Sequence, residues 1–162
     1  MGEIKIVKAT INEKKIVTDL VVELLIDLNN KNNNNFIVDK TKLKKTTRNL
    51  IKRTNYGAFI AYDSENNPKG LITVAESFSI YNGGDFGVIT EFYVDRNSRS
   101  NGIGKLLLNH VFNFSKSMNW NKVEVGAPNA EEWPKTIKFY ERNGFKQKGP
   151  KLRIDLNNCS QQ

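Results

Sequence analysis

Hydrophobic positions along the chain recur with two different periods, and the change between them is sharpest from Val88 to Met118. Val88–Val94 is a short, largely apolar run rich in β-branched and aromatic residues, bounded by Gly87 and Asp95, the pattern of a buried strand. Asp95–Asn101 is polar and too short and charged for anything but a loop. From Ile103 the period becomes helical, with Ile103, Leu106, Leu107, Val111, Phe114 and Met118 on one face.

The same periods order the rest of the chain. Ile4, Ile6 and Val7 predict a first strand ending near Thr10, and Lys15–Asn29 an amphipathic helix with Val17, Leu20, Val21, Leu24 and Leu28 on one face. Asp39 is placed to cap a second helix running to Arg53, with Leu43, Thr47, Leu50 and Ile51 inward. Tyr56–Asp63 and Gly70–Ser79 read as strands. The first is followed by a turn at Ser64–Pro68 and the second by a hairpin signal at Asn82–Asp85. After the central helix come a strand at Lys122–Val125 and a helix at Trp133–Asn143, with Pro134 in its first turn and Gly144 as a left-handed cap. A last hairpin, Phe145–Lys148 with Leu152–Leu156, turns at Gly149-Pro150. The order β-α-α-β-β-β-α-β-α-β-β describes a mixed α/β chain, a meander first and a crossover second. Residues 1–156 form one domain and 157–162 a polar tail.

Opposite its apolar face, the first helix carries Lys15, Asp19, Glu23, Asp27 and Lys31, each four apart. Like charges at that spacing repel by a few tenths of a kcal/mol, roughly, per pair. The stripe reads first as an exposed helix face and second as an attractor for a cationic molecule.

Composition narrows the function classes. At 162 residues, 38% hydrophobic and 26% charged, the chain is an ordinary globular one, long enough to bury a core without disulfides. The single Cys159, in a polar tail, argues against a thiolate nucleophile. No run approaches membrane-spanning length and the N-terminus lacks a signal-peptide core, so the expectation is a cytoplasmic protein with no membrane partner. The net charge of +8 allows a nucleic-acid surface. The lysines, however, are scattered and not interleaved with aromatics, so a solvated surface is the plainer reading. His110 is the only histidine, beside the helical apolar face, and no spacing suggests a metal site. A homodimer is compatible with the sequence.

Between the strand at Val88–Val94 and the helix lies Arg99-Ser100-Asn101-Gly102-Ile103-Gly104, followed by Lys105. Two glycines at a helix start let a ligand approach the backbone, and amides there, with the helix dipole, favour an anion. A Walker loop is excluded because Gly102 and Gly104 are too close and Leu106 follows Lys105. A dinucleotide fingerprint is excluded because Leu107 stands where a third small residue is required. The remaining pattern, Arg/Gln-x-x-Gly-x-Gly/Ala at a strand-to-helix junction, resembles the pyrophosphate loop of the GNAT superfamily of N-acetyltransferases. A second block in the right order, Phe139-Tyr140-Glu141-Arg142-Asn143-Gly144-Phe145, is similar to the end of that family's fourth helix. The resemblance extends loosely over Ile4–Leu156.

The resemblance implies a mostly antiparallel sheet that splays after its fourth strand to admit acetyl-CoA as co-substrate, flanked by helices. It implies that backbone groups of Phe92, Tyr93 and Val94 pair with the pantetheine arm. Amides from Arg99, Ser100, Asn101, Gly102, Ile103, Gly104 and Lys105 would hold the pyrophosphate, with added bonds from the Arg99 guanidinium. Glu91, the one carboxylate within the strand, is the candidate base; its plainer alternative is a strand carboxylate paired with a Lys or Arg. Tyr140 is the candidate acid for the departing thiolate; its alternative is a core tyrosine beside Phe139 and Ile137. Where the family usually has an Asn seven residues before this tyrosine and an Ala four before it, Trp133 and Thr136 stand. The activity implied is acetyl transfer to a primary amine, of a small molecule or peptide, by direct attack in a ternary complex. The competing class is a non-catalytic acyl-CoA-binding regulatory module.

Overall fold

A computed structural model describes residues 2–32 and 37–149. The chain divides into two compact units, Met1–Val125 and Gly126–Gln162. The first unit is built on a five-stranded sheet in the order β1-β2-β3-β4-β5. The strands are β1 (Lys5–Lys8), β2 (Tyr56–Tyr62), β3 (Pro68–Ser79), β4 (Gly84–Val94) and β5 (Val123–Val125). The first four are antiparallel neighbours; β5 joins β4 in parallel after a crossover through a helix. This is the expected mixed α/β class with a mostly antiparallel sheet.

β2 is buried along both faces, which explains its nearly unbroken apolar run. On one face Ala58, Ile60, Leu71 and Tyr93 pack with Val17 and Leu20 of α1 (Lys14–Asn32). Beside α1 lies α2 (Lys40–Ile51), capped by Asp39, whose carboxylate accepts the Lys42 N–H at 3.0 Å. The two helices also share a buried hydrogen bond between the Thr18 and Thr47 hydroxyls, 3.1 Å. The first strand stops before Thr10, which instead forms a capping box with Glu13 and opens a single 3₁₀ turn ahead of α1.

The other face carries α3 (Ile103–Ser117), which packs on β2, β3 and β4. Its buried residues are Ile103, Leu107, Leu108, Val111 and Ser115. The expected stripe is thus rotated: Leu106 is exposed and Leu108 takes its place. In a run of three leucines the period alone does not choose which one turns outward. α3 lies close because the strands beneath it carry glycines. A Cβ at Gly57 would meet the Phe114 ring at 3.1 Å, and one at Gly70 would meet Leu107 Cδ1 at 3.1 Å and the Tyr93 carbonyl oxygen at 2.9 Å.

In the second unit the described residues form α4 (Pro134–Arg142), with Pro134 in the first turn. Gly144 follows at φ +88°, the left-handed conformation expected of the cap. Residues 145–148 adopt no strand, contrary to the expected last hairpin. Its other half, Leu152–Leu156, and the 157–162 tail lie outside the described residues.

Gly70→Ala tests how tightly the two central strands and α3 are fitted. The neighbour that the new methyl meets is backbone and cannot rotate away, so the variant should lose about 1–3 kcal/mol in denaturant unfolding. Unchanged stability would show that the strands can part there without cost.

Candidate functional site

The antiparallel ladder between β3 and β4 is interrupted once. Ile72 lies opposite Phe92 and Val74 opposite Ile89, so Thr73 alone faces two residues, Thr90 and Glu91. This is a β-bulge, a device that re-aims side chains. Thr73 is fully buried, and its hydroxyl organises the bulge. It accepts the Glu91 N–H at 2.9 Å, lies 2.8 Å from the Thr90 hydroxyl and donates to the Glu91 carboxylate. The Thr90 hydroxyl donates to the same Oε2 at 2.7 Å. The Tyr56 phenol hydrogen-bonds to Thr73 from the strand beyond. Burial above all, then the Glu91 charge, pushes that phenol well above the usual tyrosine range, against the effect of the Thr73 bond. Among the described residues no Lys or Arg pairs with Glu91. Its carboxylate is held by threonine hydroxyls, on the α1 side of the sheet with Thr73 and Tyr93.

Beyond the bulge β4 outruns its parallel partner. The ladder with β5 ends at Ile89 and Val125, while β4 continues to Val94. Phe92 and Val94 are half-buried and Tyr93 is buried against α1. The chain then makes a 3₁₀ turn at Arg96–Ser98 and enters α3 through Ser100 at φ +65° and Gly102 at φ +80°. A Cβ at Gly102 would meet nothing within 4 Å, so this turn is open. No side chain caps α3, and its first turn holds no acid. The first helical bond runs from the Leu106 N–H to the Gly102 carbonyl, 3.1 Å, leaving the N–H groups of Ile103, Gly104 and Lys105 ahead of the helical ladder. Such a terminus suits an anion.

The α1 stripe is not a uniformly solvated face. Asp19 pairs with Lys15 at 2.8 Å, as an exposed pair four apart. Asp27, however, is largely covered. It receives Arg96 Nε at 2.7 Å, Arg96 Nη2 at 2.6 Å and Arg99 Nη2. Burial works against its charge, but the bonds and charges of the two arginines prevail and hold its carboxyl below the usual range. The Arg99 guanidinium is thus engaged by Asp27, and through Nε by the Val94 carbonyl at 2.9 Å. Asp19, Glu23 and Asp95 line a pocket of about 280 Å³ with Ile16, Leu20 and Tyr93. Burial, then the Asp27, Glu23 and Asp95 charges, push the Tyr93 phenol up. Glu76 faces the other side of the sheet, where it accepts from Trp120 Nε1 at 3.0 Å and Asn55 Nδ2 at 2.9 Å.

In the second unit Tyr140 is buried on α4 between the edges of Phe139 and Phe145, with ring centroids 5.6 and 5.4 Å away. Burial pushes its phenol up to about 12. Tyr56, Thr73 and Asp27 take part in these networks without having been singled out individually in the sequence. The one hint was a threonine inside the buried Gly70–Val74 run.

With this geometry in hand, comparison with known proteins identifies the class. Residues 54–147, more than half of the chain, match the model of the acetyltransferase (GNAT) domain, and the chain belongs to that family. Solved structures agree in fold. A "predicted acetyltransferase with acetyl-CoA" from Clostridium acetobutylicum is 21% identical, with TM-score 0.77 over 96% of this chain and 97% of that one. A ribosomal-protein-alanine N-acetyltransferase from Brucella melitensis is 17% identical, with TM-score 0.71 over 94% and 99%. An aminoglycoside acetyltransferase from an uncultured soil sample, in complex with sisomicin, is 21% identical, with TM-score 0.71 over 94% of both chains. No curated protein matches in sequence. Among the described residues no helix is long and apolar enough to cross a membrane.

The Tyr140 phenol carries a stability consequence. Its folded pKa, about 12, exceeds the ordinary value of 10, so folding favours the neutral form. That contribution is complete below pH 10 and is lost as pH rises through 12, about 1.4 kcal/mol by pH 11. Thermal melts from pH 8 to 11 should show Tyr140→Phe losing less stability than the parent. Parallel curves would mean that Tyr140 ionises as freely folded as unfolded.

Proposed function

We propose that the chain transfers the acetyl group of acetyl-CoA to a primary amine by direct attack in a ternary complex. The observation that carries this reading is a single run of chain. β4 bulges at Thr90-Glu91, outlasts its β5 ladder, and leads through a left-handed Gly102 into a helix start without a side-chain cap. Those features fit a thioester on a pantetheine arm with a diphosphate at its far end. Backbone groups of Phe92, Tyr93 and Val94 pair with the arm. Amides from Arg99, Ser100, Asn101, Gly102, Ile103, Gly104 and Lys105 hold the diphosphate. Acetyl-CoA supplies the activated acyl group.

The protein's own task is to manage two protons. An alkyl amine with a pKa near 10.4 is almost wholly protonated at pH 7, and freeing its lone pair costs about 4–5 kcal/mol. Glu91 takes that proton, directly or through water, its carboxylate steadied by Thr73 and Thr90. Tyr140 donates to the departing thiolate, and its raised pKa keeps the phenol protonated throughout the neutral range. The carboxylates of Asp19, Glu23 and Asp95, on the α1 side of β4, support a small cationic acceptor or a lysine side chain over an acidic amino acid. Glu76, on the opposite face, takes no part in this field.

Thiol release from acetyl-CoA across a panel of amines tests the reading. Cationic amines should turn over fastest, with KM rising as salt screens the attraction. Coenzyme binding without release to any amine would instead make the chain a binding module.

Removing either proton carrier separates the two roles. Glu91→Gln and Tyr140→Phe should each lower kcat by at least about tenfold, within the span of general acid–base catalysis, while affinity for acetyl-CoA stays nearly constant. Raising the pH should partly restore Glu91→Gln, because more amine is then already neutral. A fully active variant would remove that residue from the mechanism.

A further inference from the structure

The bond from α1 to the loop ahead of α3 has no role in the chemistry above, yet its geometry is specific. Arg96 and Arg99 lie three apart on the eight-residue stretch, 95–102, that connects β4 to α3. Left to themselves, two cations so close would repel and spread the loop. One carboxylate, 69 and 72 residues earlier in the chain, receives both. Asp27 is only 12% exposed, while the arginines are 58% and 47% exposed. The anion is therefore the fixed member and the loop is what it holds. A third bond, Arg99 Nε to the Val94 carbonyl, ties the same guanidinium to the end of β4. Isolated exposed ion pairs contribute little, but a covered carboxylate with two charge-assisted partners is a network.

We propose that Asp27 is a positioning residue for the diphosphate: by holding Arg96 and Arg99 it fixes the loop whose amides converge on the coenzyme. This inference rests on the acetyl-CoA reading above. It makes a directional demand that simple electrostatics does not. Deleting a negative charge near an anion site should by itself tighten binding. Deleting the residue that shapes the site should weaken it.

The test compares Asp27→Asn with the parent on two acyl donors, acetyl-CoA and S-acetylpantetheine, which lacks the diphosphate. Asp27→Asn should raise KM and the calorimetric Kd for acetyl-CoA at least about tenfold, with kcat within about twofold. Kinetics with S-acetylpantetheine should not change, a split that general loss of structure would not produce. Asp27→Glu should recover part of the affinity. Arg96→Gln cuts the tie from the loop side and should act in the same direction if Asp27→Asn folds poorly. Equal or tighter acetyl-CoA binding in folded Asp27→Asn or Arg96→Gln overturns the proposal alone. Failure of the parent protein to bind acetyl-CoA overturns the functional reading and this inference with it.

Discussion

A single buried hydroxyl, that of Thr73, faces two residues of the next strand, and the layout of the first unit's site follows from that mismatch. An ordinary ladder would satisfy the Glu91 N–H with a carbonyl; here a side chain does so, and β4 is bent where it needs to leave its neighbour. The bend, the Glu91 carboxylate and the start of the unladdered β5 side all fall within three residues. Tyr56 adds a buried phenol to the same cluster, so the polar groups are tied across three strands. Buried networks of this kind are rigid when each member has a partner, and rigidity is what a proton carrier requires.

Charge is partitioned around this frame. The chain is basic overall, but the α1 side of β4 gathers Asp19, Glu23, Asp27 and Asp95, while Arg96, Arg99 and Lys105 flank the entrance of α3, whose first turn holds no acid. An anionic co-substrate and a cationic acceptor would thus meet regions of opposite sign on one small unit. The partition arises from α1 and the β4–α3 loop being held together at Asp27, which neutralises the loop's excess without reversing it.

Much of this was legible in the sequence, for identifiable reasons. Long periodic segments announced α1, α2 and α3, and glycine spacing announced the α3 entrance, because both signals are local. The bulge was not legible: VITEFYV is apolar enough to suit either face, so nothing in it signals an extra residue. Asp27 was read as part of a solvated stripe because its partners lie some seventy residues downstream. Leu106 and Leu108 exchanged roles because sheet contacts, not helical period, decide which leucine is covered. Thr73 and Tyr56 stayed hidden for a similar reason, since their importance depends on which residues of β4 they oppose.

The extra residue in β4 also sets the parity of the strand. Side chains alternate with a period of two, yet Ile89 and Phe92, three apart, fall on the same face, as do Val88 and Tyr93, five apart. The bulge absorbs the odd step. A lineage that lost one residue at Thr90-Glu91 would gain a regular ladder and keep the strand's composition. Phe92 and Tyr93 would keep their present faces, because Ile89 and Phe92 would then stand two apart in a regular strand; what would go is the second residue opposite Thr73, and with it either the Thr90 hydroxyl or the Glu91 carboxylate. Straightening the bulge while keeping both residues would instead turn over everything after it, sending Tyr93 away from α1 and Phe92 toward it, so the bulge and the length of the strand can only change together.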